Sequence, residues 1–130
     1  MDYSAYYQSI IKPSFAPPEW AFGLAWGIIY PLIALAFIYT LVLIYRKRVP
    51  ARFAGIFAVN LIANILFTPI QLGLMNTWLA TLDIFLILAT LILLVFGIYR
   101  YSKLTSLLLV PYLLWVSFAT VLQVSLLVLN

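Results

Sequence analysis

The sequence predicts an all-α integral membrane protein built as a bundle of four transmembrane helices, and three observations carry that expectation. Apolar residues make up 67% of the 130-residue chain and charged residues only 8%. Four hydrophobic runs occupy about 19–45, 53–73, 78–99 and 104–129. A helix rises ~1.5 Å per residue and a hydrocarbon core is ~30 Å thick, so each run is long enough to span. The charges gather at the ends of these runs, where a membrane tolerates them. Four helices and their connections use the whole chain, so residues 1–130 form a single transmembrane domain.

The segment before the first run, MDYSAYYQSIIK, has neither a basic start nor an apolar centre and does not read as a signal peptide. Pro13, Pro17 and Pro18 make the lead-in to Trp20 stiff and extended, with Pro18 suited to the first turn of a helix. Pro31 falls inside the first span and Pro111 inside the fourth, which predicts a kink or local loosening in both helices. On the second span Ala51, Ala54, Gly55 and Ala58 form a stripe of small residues, with two pairs spaced by four. Such spacing allows close helix approach in lipid, either within one bundle or at the seam of a homodimer.

Six of the seven basic residues lie in two connections, Arg46, Lys47, Arg48 and Arg52 after the first span and Arg100 and Lys103 after the third. Basic loops stay cytoplasmic, so both termini and the uncharged connection near 73–78 are expected outside, in what reads as a prokaryotic cell membrane. Tyr45, Tyr99 and Tyr101 would mark the inner interface, Trp20 and Trp78 the outer one. The net charge of +4 is thereby explained by topology, and no nucleic-acid partner is expected. The chain has no Cys and no His, which removes disulfides, thiolate chemistry and the commonest metal ligand and general base.

Polar residues inside the spans are the strongest lead to function, because leaving them unpaired in lipid is costly. They are Asn60 and Asn64 on one face of the second span, Gln71 near its end, Asp83 early in the third and Gln123 in the fourth. The two amides on one face point to interhelical hydrogen bonding or to contact with a ligand. Trp26 lies about 9 Å inside Trp20 by helical rise, and Trp115 lies well within the fourth span. Indoles placed that deep tend to face protein or ligand, offering a flat surface and one N–H donor. A pocket of Trp, Tyr and amides without an ionisable base suits a large, flat, apolar ligand and not an ion.

Three stretches then carry a resemblance. Lys12–Tyr30 (KPSFAPPEWAFGLAWGIIY) resembles the proline-rich loop and following helix of the TspO/MBR family, the translocator or tryptophan-rich sensory proteins. Asn64–Gly73 (NILFTPIQLG) is similar to its asparagine-aromatic-proline-glycine segment, and Pro111–Ala119 (PYLLWVSFA) to its signature near the last helix. The departures are Phe15 and Phe67 in place of Trp, Gln71 and Leu72 in place of a Phe pair, and Gln123 in place of Asn. The resemblance begins at the loop after the family's first helix, so that helix is expected to be missing and one flank of the bundle uncovered.

The resemblance implies an intrabundle pocket for a tetrapyrrole, porphyrin or heme, or a similar flat hydrophobic molecule. Its residues would be Phe22, Trp26, Tyr30, Asn64, Phe67, Trp115, Ala119 and Gln123. Trp26 and Trp115 would stack on the ligand, Asn64 and Gln123 would hydrogen-bond to it, and Ala119 would leave it room. No obligatory cofactor, metal or catalytic residue is expected, although some relatives are implied to promote light-dependent porphyrin breakdown. Two other readings remain open. One is a small proton-coupled or drug-type transporter using Asp83 or Glu19; the other is a structural membrane partner with a degenerate pocket.

Overall fold

A computed structural model describes residues 3–130, with side chains from Ala5 onward. A short helix α1 (Tyr3–Ser9) precedes four long ones: α2 (Glu19–Tyr45), α3 (Arg52–Thr68), α4 (Thr77–Tyr99) and α5 (Lys103–Leu129). One π-helical turn, Pro69–Gly73, continues α3. All four long segments meet the length and apolarity that a span requires. The protein is an all-α membrane bundle.

Local chemistry sets the ends of these helices. Asn76, in extended conformation, accepts the Leu79 backbone N–H at 3.0 Å and so caps α4. Ser102 caps α5 in the same way, accepting the Thr105 N–H at 3.2 Å. Pro18 is the residue before α2, one position earlier than a first-turn proline. At the other end of α2, Lys47 adopts φ 58°. That left-handed residue lets Lys47 and Arg48 return their N–H groups to Ile44 and Leu43, a Schellman closure that satisfies two terminal carbonyls.

The sequence leads to the expectation of a kink or local loosening at Pro31 and Pro111. Both prolines lie inside helices that continue past them, and the departure from α geometry falls at Pro69. The wider turn brings the Leu74 N–H to the Pro69 carbonyl at 3.0 Å, and it leaves Gln71 buried rather than facing lipid. Single π turns of this kind recur at functional sites.

α4 packs against both α3 and α5, while α2 leans chiefly on α5 and meets α3 over a shorter stretch. The core joins Ile29, Ile33 and Ala36 of α2 with Phe57 of α3, Leu91 and Leu94 of α4, and Leu109 and Val116 of α5. Gly97 permits the close α3–α4 approach, since a Cβ there would lie 2.7 Å from Cε1 of buried Phe53. The small stripe on α3 makes no such contact. Ala51, Gly55 and Ala58 are exposed, and a Cβ on Gly55 would meet nothing within 4 Å.

The segment before α2 is tied down as a strap. The Tyr7 hydroxyl donates to the Pro17 carbonyl, and the Lys12 ammonium donates to the Tyr7 carbonyl at 2.8 Å. Asn130 closes the strap from the far end of the chain. Its amide accepts the Ile11 N–H at 3.0 Å and donates to the Ile11 carbonyl at 2.9 Å.

Candidate functional site

The strap and the strap-side halves of α2–α5 enclose a cavity of about 370 Å³. All eight residues singled out from the sequence line it: Phe22, Trp26 and Tyr30 from α2, Asn64 and Phe67 from α3, and Trp115, Ala119 and Gln123 from α5. Helical spacing explains the convergence. Phe22, Trp26 and Tyr30 repeat every four residues, as do Trp115, Ala119 and Gln123, and each set therefore presents one face. Ile84 and Ile87 of α4 form the apolar floor.

The aromatic wall is a set of ring contacts. Trp26 stacks on Tyr30 with centroids 4.9 Å apart and an interplanar angle of 27°. Trp115 stands edge-on to Trp26 at 6.4 Å, and Phe22 edge-on to Trp115 at 5.6 Å. Offset and edge-on pairs are the favoured aromatic arrangements, so the wall is pre-formed. The Trp115 indole Nε1–H is buried and has no hydrogen-bond partner, which leaves one donor in the wall unspent.

The amides are engaged already. The Tyr30 hydroxyl donates to Asn64 Oδ1 at 2.8 Å, and Asn64 Nδ2 donates to the Tyr112 hydroxyl at 2.9 Å. Tyr112 passes its own proton to Asn60 Oδ1 at 2.9 Å, and Asn60 Nδ2 donates to the Ile87 carbonyl and to Thr90 Oγ1, both at 3.0 Å. This directional chain links all four spans. It leaves Asn64 one N–H and one lone pair. Gln123 likewise pairs with Gln71 in both directions, at 3.2 and 3.3 Å, and donates to Thr81 at 3.3 Å.

Ten further lining residues were not anticipated, among them Tyr6, Tyr7, Gly23, Thr68 and Gln71. Gln71 carried a signal, being an amide inside a span. Tyr6 and Tyr7 carried none, because only the folding-back of α1 brings them to the mouth. There the Tyr6 hydroxyl accepts from Gln71 Nε2 at 2.7 Å. Burial pushes both phenols above their usual range, and for Tyr7 the Glu19 carboxylate adds to the shift. Both are neutral at physiological pH.

Among the described residues no group of three or more Asp, Glu, His or Cys is placed to hold a metal ion. Asp83 is half-buried on α4, with one carboxylate oxygen buried and unpartnered, and it is not among the residues that line the cavity. The arrangement can hold an apolar molecule against aromatic faces.

The comparisons with known proteins agree with one another. The sequence model of the TspO/MBR family matches residues 1–129. The tryptophan-rich protein TspO of Chlorobaculum tepidum is 35% identical over 127 residues, covering 98% of this chain and 80% of that protein. The tryptophan-rich protein TspO of Archaeoglobus fulgidus is 36% identical over 131 residues, covering 96% and 80%. The human translocator protein is 29% identical over 126 residues, covering 91% and 70%. With the bundle, the aromatic cavity and these matches together, the chain belongs to the TspO/MBR family.

Proposed function

We propose that the protein binds a flat hydrophobic molecule of the tetrapyrrole class, porphyrin or heme, in the cavity beneath the strap, and serves to sense or carry it. The observation that carries this reading is the wall of Trp26, Tyr30, Trp115 and Phe22, already arranged for stacking in a cavity with few free polar atoms. Its volume lies within the range of about 300–1,000 Å³ usual for small-molecule sites. With Gln123 paired to Gln71 and Thr81, and Asn64 to Tyr30 and Tyr112, contact with the ligand rests on ring faces, on the Trp115 N–H and on the one N–H and one lone pair that Asn64 keeps. Binding, not chemistry, is the activity we assign.

Two further readings belong to the same proposal. The basic loops 46–52 and 100–103 face the cytoplasm of a prokaryotic cell membrane and both termini face out. The exposed small stripe of Ala51, Gly55 and Ala58, with half-buried Ala54 beside it, pairs two copies as a homodimer. Titration of purified protein in nanodiscs with protoporphyrin IX and with hemin, followed by tryptophan quenching, tests the ligand class. Saturable quenching at one site per chain is expected; linear, non-saturable quenching would refute it.

A further inference from the structure

The end of the bundle opposite the strap carries charge without counter-charge. Arg46, Lys47 and Arg48 follow α2, Arg52 opens α3, and Arg100 and Lys103 lie where α4 joins α5. Among the described residues the acids are Glu19 and Asp83, near the starts of α2 and α4 and so at the strap end. Membrane topology accounts for the number of these cations. It does not account for where their heads are held.

The Arg52 guanidinium lies over the Phe53 ring at 5.1 Å, and that of Arg100 over the Tyr101 ring at 4.9 Å. Phe53 and Tyr101 themselves meet edge-on with centroids 6.0 Å apart. Two guanidiniums from two different connections are therefore fixed on one pair of touching rings. The pair is anchored in turn, because buried Phe53 fills the space beside Gly97. A guanidinium laid flat on a ring keeps its N–H edge free for an oxyanion.

Beside these rings lies an open recess of about 410 Å³, lined by Ile44, Lys47, Arg48, Val49, Pro50 and Tyr101 among others. It sits between the α2–α3 connection and the α4–α5 connection, across the end of the bundle. Its rim is basic and its wall apolar. Lys47 holds the left-handed turn that closes α2, a position where glycine is least strained. The sequence spends that strain on a charge at the rim. Exposed Tyr45, Tyr99 and Tyr101 lie at the same level, where aromatic side chains mark headgroup depth.

We propose that this recess binds the phosphodiester headgroup of an anionic phospholipid from the leaflet at this end of the bundle. Lys47 and Arg48 meet the phosphate, Arg100 on its ring adds charge from the far side, and Ile44, Val49 and Pro50 pack against the glycerol. Basic clusters beside a span attract anionic headgroups in general; fixed guanidiniums and an apolar wall make a site of the attraction. A free phosphate would gain nothing from that wall. The site is separate from the cavity and independent of what the cavity binds.

The test weighs lipid on the purified chain by native mass spectrometry, from micelles holding equal phosphatidylglycerol and phosphatidylcholine with identical acyl chains. One phosphatidylglycerol per chain is expected to be retained at least tenfold over phosphatidylcholine. Arg48→Gln and Arg100→Gln should each lower that preference at least threefold. Arg46→Gln removes the same charge from a residue that neither lines the recess nor lies on a ring, and should change it less than twofold. Lys47→Gly separates binding from folding: thermal stability in phosphatidylcholine alone should rise, because the turn is relieved, while the preference falls. Equal losses in Arg46→Gln and Arg48→Gln would reduce the effect to a diffuse field and overturn the site. Equal retention of the two lipids, or full preference in Lys47→Gly, would overturn it as well. Displacement of phosphatidylglycerol by millimolar inorganic phosphate would replace the lipid site with an ion site.

Discussion

Replacing Tyr112 by Phe removes a single oxygen from the centre of the bundle and takes one hydrogen-bond partner from each of two amides. Tyr112 is fully buried; its hydroxyl accepts from Asn64 and donates to Asn60, each at 2.9 Å. Phe keeps the ring and its packing, so the loss is the two hydrogen bonds and little else. In water each buried amide group that loses its partner would cost about 1–3 kcal/mol. In a membrane the unfolded helices also find partners, and interhelical bonds average about 0.6 kcal/mol with a ceiling near 1.7. Two bonds therefore give a destabilisation of about 1–3 kcal/mol. Tyr30→Phe removes one bond from a side chain that is 48% exposed, and the cost should be about 0.5 kcal/mol. Equilibrium unfolding in mixed micelles with increasing SDS, followed by circular dichroism, provides the assay. Combining Tyr112→Phe with Asn60→Leu should give strong non-additivity, because the two share a bond. A Tyr112→Phe effect no larger than that of Tyr99→Phe, an exposed tyrosine, would refute the idea that the chain of amides and phenols holds the bundle.

Three other outcomes follow from the packing and the charge pattern. Gly97→Ala drives a methyl into Phe53 while Gly55→Ala meets nothing, so in the same unfolding assay the two should differ by about 1–3 kcal/mol in favour of the Gly55 variant; equal effects would deny the close α3–α4 approach. Single cysteines at Arg48 and Asn76 should be labelled unequally by an impermeant thiol reagent in intact cells, with only Asn76 reacting, and labelling at Arg48 alone would invert the topology. Gly55→Leu combined with Ala58→Leu should convert a dimer to a monomer on light scattering, and a wild-type protein that is already monomeric in nanodiscs would refute the seam.

The long helices were legible because hydrophobic length and terminal charge are written directly in the sequence, and their ends fall within one residue of the expected runs once the π turn is counted with α3. The cavity-facing set was legible for a related reason: Phe22, Trp26 and Tyr30, and Trp115, Ala119 and Gln123, recur at helical spacing within motifs that resemble a family. What the amides do was not. The four-residue separation of Asn60 and Asn64 gave the shared face but left open whether ligand or helix takes their hydrogen bonds, since the partners Tyr112 and Thr90 lie 48 and 30 residues away along the chain. The π turn at Pro69 was hidden as well, because a proline inside a hydrophobic run signals disturbance without saying which turn absorbs it. α1 escaped notice because seven residues of mixed polarity carry no periodicity strong enough to read. Its place is set by distant groups, Gln71 meeting Tyr6 and Asn130 meeting Ile11.

The most direct test of the proposed site compares tryptophans inside the cavity with one outside it. Trp26 and Trp115 line the cavity, whereas Trp20 is 70% exposed at the end of α2 and does not. Protoporphyrin IX affinity should be measured for Trp26→Ala, Trp115→Ala and Trp20→Ala in the same nanodiscs. The cavity variants should each lose about 1–3 kcal/mol of binding free energy, from aromatic contact and truncation magnitudes, and Trp20→Ala should lose none that is measurable. Equal affinities in all three variants would contradict a ligand site between these helices.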